Sequence, residues 1–202
     1  MKKIFVFFAS AREANPFLFQ SKYRFRKEDP QLFEVSIKST LITIVITGIG
    51  QENVYKATGG LRIEQDSCII KAGTCAVPGR QKELLKPYLP SFVSDGLKFY
   101  PACDKLEENW YCKDDGLISL PGPLNSERHF KSPVPGKTIS FADMESFYLF
   151  SRYETVKSKY VLLAGTDRGK GDVKKEFLTH IKKASYILKD ALVHLLDKKL
   201  IE

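Results

Sequence analysis

Ala142-Asp143-Met144-Glu145-Ser146-Phe147 is the stretch on which the reading of the fold turns. Ile139–Ala142 before it is apolar enough for a short strand, and Met144–Tyr153 after it carries the spacing of a helix. An acidic pair between them occupies the C-terminal edge of a strand and the N-terminus of a helix. Open α/β sheets bind their ligands there. Taken alone, the hexapeptide also reads as a plain helix start, with Ser140 or Asp143 as cap and Glu145 favouring the helix dipole.

Working outward, Ile4–Ala9 is a continuous apolar run, the pattern of a buried parallel strand. A helix follows from about Ala11, with Pro16 limiting its early turns. Phe33–Lys38 alternates like a strand, and Leu41–Thr47 is β-branched and apolar throughout. Thr47–Gly50 is a glycine turn and Glu52–Gly59 a helix. Ser67–Ile70 is a core strand followed by a small-residue turn at Ala72–Ala76, and Tyr160–Ala164 another strand running into Gly165-Thr166-Asp167. Phe177, Ile181, Ala184, Leu188, Ala191, Leu192 and Leu195 recur at steps of three and four, one face of a long closing helix. Alternating strands and helices predict an α/β fold with a mostly parallel sheet in a single domain over 1–202. Its region from about 78 to 138 is irregular, holds most of the prolines and Trp110, and is expected to cover one end of the sheet with short strands and loops.

The 202 residues carry 32 basic and 24 acidic side chains, a net charge of +8. A basic balance raises nucleic acid and anionic membrane surfaces as partners. The basic residues are dispersed, however, with clusters only at Lys22–Lys27 and among the lysines of the last thirty or so residues. A nucleic-acid footprint forms one patch or stripe, so solvated faces are the reading and no nucleic-acid partner is expected. Lys2-Lys3, the apolar run and Ala9-Ser10-Ala11 imitate a secretory leader, but the run is short of the usual core of about 7–15 residues. No stretch approaches the roughly 20 apolar residues of a membrane span, and a cytoplasmic location is expected. Cys68, Cys75, Cys103 and Cys112 form no Cys-x-x-Cys pair and the three His are not grouped with them, so no metal site is expected. Cys68 and Cys75 read as buried thiols; Cys103 and Cys112 could bridge.

Glu13, Glu145 and Asp167 share one kind of address, the loop or helix start after a buried strand. In a parallel sheet such positions converge on one edge. Each also has an ordinary reading: Glu13 as a first-turn acid, Glu145 likewise, and Asp167 as a turn residue beside glycines. The two small-residue turns, Gly48–Gly50 and Gly73–Ala76, would let a ligand approach the backbone closely.

In order along the chain, these residues resemble the nucleoside phosphorylase superfamily, and within it the methylthioadenosine/S-adenosylhomocysteine nucleosidases. IFVFFASAREANPFL, TGIGQENVYKAT, IIKAGTCAV, ADMESF and LLAGTD match the family's successive motifs, ADMES most specifically. The resemblance implies a three-layer α/β/α fold around a mixed, mostly parallel twisted sheet, a homodimer, a nucleoside substrate and no cofactor. It places catalytic roles on Glu13 and Asp167, and substrate contacts on Glu145, Met144, Ile49 and Thr74. Asp167 would protonate the leaving purine, Glu145 would grip the ribose hydroxyls, and Glu13 would activate water. Phe130 and Phe141 are candidates to stack on the base. Two departures stand out: Cys75-Ala76-Val77 replaces the family's paired glycines, and Arg168-Gly169-Lys170 follows Asp167. Glu13 follows Arg12 without the glycine usual in phosphate-using members, which favours water over phosphate. Lys71, Arg80, Arg168 and Lys170 keep phosphorolysis open. A futalosine-type substrate and a nucleoside-binding protein without turnover are the remaining alternatives.

Overall fold

The apolar run after the two N-terminal lysines becomes β1 (Lys2–Phe8), in the middle of a ten-stranded mixed sheet. The computed structural model describes residues 1–79, 82–102, 109–123 and 130–201. After β1 come α1 (Ala11–Gln20), β2 (Arg26–Asp29), β3 (Leu32–Ile37), β4 (Thr40–Ile46), α2 (Gln51–Thr58) and β5 (Cys68–Ala76). Then follow β6 (Pro87–Ser94), β7 (Phe99–Pro101), β8 (Tyr111–Ser119), β9 (Thr138–Asp143), α3 (Ser146–Arg152), β10 (Ser158–Asp167) and α4 (Val173–Leu195). A π-helical turn, Leu196–Leu200, extends α4.

Because strand side chains alternate between faces, β1 feeds two cores. Ile4, Val6 and Phe8 pack with Ala14 and Phe17 of α1 and with Ala184 and Leu188 of α4. Phe5 and Phe7 pack with Val54 of α2 and with Leu149 and Phe150 of α3. This double burial explains why the run is apolar without alternation.

The sheet is less parallel than the sequence suggests. β1–β4, β1–β5, β5–β10, β6–β8 and β8–β9 are parallel, while β2–β3, β3–β4, β5–β9, β6–β7 and β6–β10 are antiparallel. The surplus antiparallel pairs come from the meander β2–β3–β4 and from the region between 78 and 138. That region does not merely cover one end: β6 and β8 join the sheet and close a ring, β5–β10–β6–β8–β9 and back to β5.

Three local expectations also change. Strands β5 and β10 run on through Gly73–Ala76 and Gly165–Asp167, where small residues suggested turns. The two strands pair along this extension, so the ladder satisfies backbone that a turn would otherwise bend. Helix α1 continues past Pro16, whose ring faces the carbonyl of Arg12, an exposed residue at the first turn. Helix α3 begins at Ser146, two residues later than its apolar pattern. The basic cluster at Lys22–Lys27 leads into β2, an exposed edge strand whose charges deter pairing with another chain. Cys68, Cys75 and Cys112 are buried; Cys103 lies outside the described residues. Among the described residues no helix is long and apolar enough to cross a membrane.

Gly116 shows how tightly the ring is closed. It pairs with Phe92 across β8 and β6, and a Cβ added there would meet the Phe92 ring at 2.1 Å. Gly116→Ala is expected to destabilise the protein by about 1–3 kcal/mol, the usual cost of overpacking. A lowered urea midpoint at unchanged m-value would register it.

Candidate active site

Strands β1, β5 and β10 run parallel, so their C-terminal ends share one edge. β9 approaches from the other direction and meets β5 only at Ala76–Ala142, which brings Asp143-Met144-Glu145 to the same place. A cavity of about 560 Å³ opens there. Glu13, Ile49, Thr74, Met144, Glu145 and Asp167 all line it.

Glu13 is held from two sides. Ser10 caps α1 in a capping box, with Ser10 N–H and Oγ donating to Glu13 Oε2 at 3.0 and 3.1 Å. Thr74 N–H and Oγ1 donate to the other oxygen, Oε1, at 2.8 and 2.7 Å. The ordinary reading of Glu13 as a helix-start acid is therefore correct for one oxygen. The second oxygen ties the helix to the end of β5. With 4% of its surface exposed, the carboxyl sits in a pocket of donors.

Glu145 is equally buried. Gly50 N–H donates to its Oε1 at 2.9 Å. Gly50 has φ of +87°, a left-handed conformation in which glycine alone is unstrained, and this turns its amide toward Glu145. Burial pushes the Glu145 carboxyl up to about 7, against the pull of Lys71 and the Gly50 amide. Lys71 is 1% exposed, with Nζ 3.7 Å from Glu145 Oε2. Burial pulls the Lys71 ammonium down, but Glu145, Glu13 and Asp143 together outweigh it and the net direction is up. Lys71 thus faces three carboxyls and keeps its proton, while Glu145 titrates near neutrality beside it. Asp143 turns the other way and fixes the start of α3: it accepts from Ser146 N–H at 3.1 Å, from Ser146 Oγ, and from Ser119 Oγ at 2.5 Å. Asp143 therefore supplies the cap; Ser140 bonds Asp115 instead.

Asp167 ends β10, just past a bulge between Gly165 and Asp167. Bulges re-aim side chains at strand ends. Its Oδ1 accepts from Gly169 N–H at 2.9 Å and its Oδ2 from Thr166 Oγ1 at 3.0 Å. Burial raises its pKa above the usual aspartate range, more than these hydrogen bonds lower it. Burial also pushes the neighbouring Cys75 thiol well up, leaving it a neutral wall of the cavity.

Several expectations about the surroundings change. Arg168 points away from the cavity and donates to the carbonyls of Gly79 and Lys82 at 2.8 and 2.6 Å. Arg12 lies on the exposed side of α1, and Arg80 lies outside the described residues. Phe141 is a core residue packed on Tyr88, with ring centroids 4.9 Å apart. Phe130 is partly buried against the small cluster of Ala76, Ile118 and Ala142. The aromatic that does line the cavity is Phe177, near the start of α4. Its place in the apolar stripe of that helix disguised it as core. Lys71 was noted in the sequence only as a cation near the turn; a lysine interrupting an apolar strand was the signal for a buried ion pair.

Over nearly its whole length the chain shares its fold with solved nucleosidases. The particular solved proteins it resembles are methylthioadenosine/S-adenosylhomocysteine nucleosidases. The Chlamydia trachomatis nucleosidase bound to adenine matches with a TM-score of 0.82 at 18% identity, covering 98% of both chains. A Helicobacter pylori Asp-to-Asn variant with 5′-methylthioadenosine in its active site matches at 0.80 and 13% identity, covering 98% of this chain and 99% of that one. The Streptococcus pneumoniae nucleosidase in complex with 8-aminoadenine matches at 0.76 and 14%, covering 97% and 99%. No protein-family model and no curated protein sequence matches the chain.

Proposed function

We propose that this chain is a nucleosidase that hydrolyses the N-ribosyl bond of a purine nucleoside or thionucleoside. The observation that carries the reading is the set of three buried carboxyls around one cavity, each in a different environment. Asp167, whose pKa burial raises, is suited to hold a proton. It gives that proton to N7 of the base. The C1′–N bond breaks with its electron pair passing to the base, and the ribose becomes oxocarbenium-like. Glu145 accepts hydrogen bonds from the 2′- and 3′-hydroxyls and stabilises the developing positive charge. Glu13, held in place by four hydrogen-bond donors, takes a proton from the water that attacks C1′. All four of its lone-pair sites are occupied, so the Ser10 or Thr74 hydroxyl must turn aside to admit the water. Met144 packs on the sugar, Ile49 and Thr74 complete its surroundings, and Phe177 offers an apolar surface. No step needs a cofactor.

Water is the nucleophile in this reading because Arg168 is anchored through Nη1 to backbone carbonyls and the Lys71 ammonium lies beside Glu145. The frame is a single α/β/α three-layer domain over 1–202. We also place the protein in the cytoplasm as a homodimer, in which exposed apolar side chains such as Ile49 and Tyr55 are covered.

Incubation with methylthioadenosine, adenosylhomocysteine and futalosine, with and without phosphate, tests the reading. Free base without phosphate is the expected result. Base released only with phosphate would make the protein a phosphorylase, and none from any substrate would leave a nucleoside-binding protein. Glu145→Gln is expected to lower kcat/KM by about 10–150-fold, since charge-assisted hydrogen bonds contribute about 1.5–3 kcal/mol. The loss should divide between KM, from the ribose grip, and kcat, from the charge that Glu145 stabilises.

A further inference from the structure

We infer that Lys71 is a positioning residue: its ammonium, buried behind the cavity wall, compensates the Glu145 carboxylate while leaving Glu145 Oε2 open to a ligand hydroxyl. The inference rests on the reading above that Glu145 grips the ribose.

The geometry argues it in three steps. Residues Ile69, Lys71, Gly73 and Cys75 share one face of β5, and Ile69 and Cys75 belong to the apolar core on that face. A lysine there is costly unless its charge is answered. Its ammonium lies over Gly73, where a Cβ would come within 2.5 Å of Nζ and 3.4 Å of Glu13 Oε1. The strand thus omits a side chain at the point the ammonium occupies.

The ammonium then reaches Glu145 at 3.7 Å, too long for a hydrogen bond but within the range of a buried ion pair. Its closest hydrogen bond is a long one, 3.4 Å to the carbonyl of Ala72. Gly50 N–H occupies Glu145 Oε1, and among the described residues nothing donates a hydrogen bond to Oε2. Charge is supplied without filling the oxygen a substrate needs.

Finally, the groups facing this pair are Glu13 from α1, Asp143 from β9 and Cys75 from β5 itself. Both carboxyls repel a second negative charge on Glu145. The Lys71 ammonium is the positive group that opposes them. Without it, the balance at neutral pH tips from a part-ionised Glu145 to a protonated one, which loses an acceptor site.

The test uses Lys71→Met, which keeps the length of the side chain and removes its charge. The Glu145 carboxyl is followed by carbon NMR, its resonance identified by its loss in Glu145→Gln, alongside the pH profile of kcat/KM. In Lys71→Met the Glu145 titration is expected to move up by at least one pH unit. The acid limb of kcat/KM should move with it, with KM raised about fivefold at pH 7 for a one-unit shift and mostly recovered at pH 9. An unmoved titration, or a loss of activity that is the same at every pH, would overturn the inference. Should Lys71→Met not fold, the wild type decides: the Lys71 Nζ nitrogen resonance must inflect at the pH where Glu145 titrates, and separate inflections would refute the coupling. Both NMR readouts stand without turnover. A protein that cleaves no nucleoside therefore defeats the hydrolase reading while the titrations still judge Lys71.

Discussion

Asp167→Asn is expected to lower kcat by about 10²–10⁴-fold, the range for loss of a general acid, while binding and fold survive. The substitution is nearly isosteric. The Asn oxygen can keep the bond from Gly169 N–H, now made to Oδ1. Its amide would face Thr166 Oγ1, which now donates to Oδ2 but also lies 3.3 Å from the Cys75 carbonyl and can donate there while accepting from the amide. Removing a buried carboxyl that desolvation disfavours also costs little, so the melting temperature should hold to within a few degrees. The proton is what goes missing. Burial raises the Asp167 pKa, so in the wild type the acid form persists to higher pH than for an ordinary aspartate and is lost as pH rises through that value. The wild-type kcat should fall along that basic limb, and the residual activity of the variant should be flat across it. A nucleoside soaked into crystals of the variant should remain uncleaved. Wild-type turnover by Asp167→Asn would remove Asp167 from the mechanism.

The site was more legible in the sequence than the sheet around it. Glu13, Glu145 and Asp167 could be brought together because each follows an apolar run, and parallel strands gather such positions at one edge. The same logic carried Thr74 and Met144, their neighbours in the chain. The strands of the ring resisted reading for opposite reasons. In β6, Pro87 and Pro90 argue against a ladder, yet a bulge between Pro90 and Phe92 accommodates them. In β8, Lys113-Asp114-Asp115 looks like a loop, but Asp115 is consumed by Lys82 and Ser140 at the rim of the ring. Lys71 was hard to weigh for a further reason. Its partner Glu145 lies 74 positions away in the chain, and only the pairing of β5 with β9 brings them together.

Glu13→Gln probes the proposed base and the structural acceptor together and should damage both. As a base, a glutamine cannot take the proton of the attacking water, and kcat should fall by about 10²–10⁴-fold. As a structural acceptor, it fails for a reason the hydrogen bonds make explicit. Backbone N–H groups approach both oxygens, Ser10 at 3.0 Å on one and Thr74 at 2.8 Å on the other. Hydroxyls can rotate away from an amide NH₂, but backbone amides cannot. Whichever way the glutamine flips, one N–H donor meets another and loses its acceptor. Leaving a buried donor unsatisfied costs about 1–3 kcal/mol. If the lost partner is Ser10 N–H, the capping box of α1 opens; if it is Thr74 N–H, the tie between α1 and the end of β5 goes. Thermal unfolding should therefore shift down in Glu13→Gln and hardly at all in Asp167→Asn, although both variants lose turnover. Equal melting temperatures would mean that the donors around Glu13 do not depend on its charge, and that its second oxygen is free for catalysis alone.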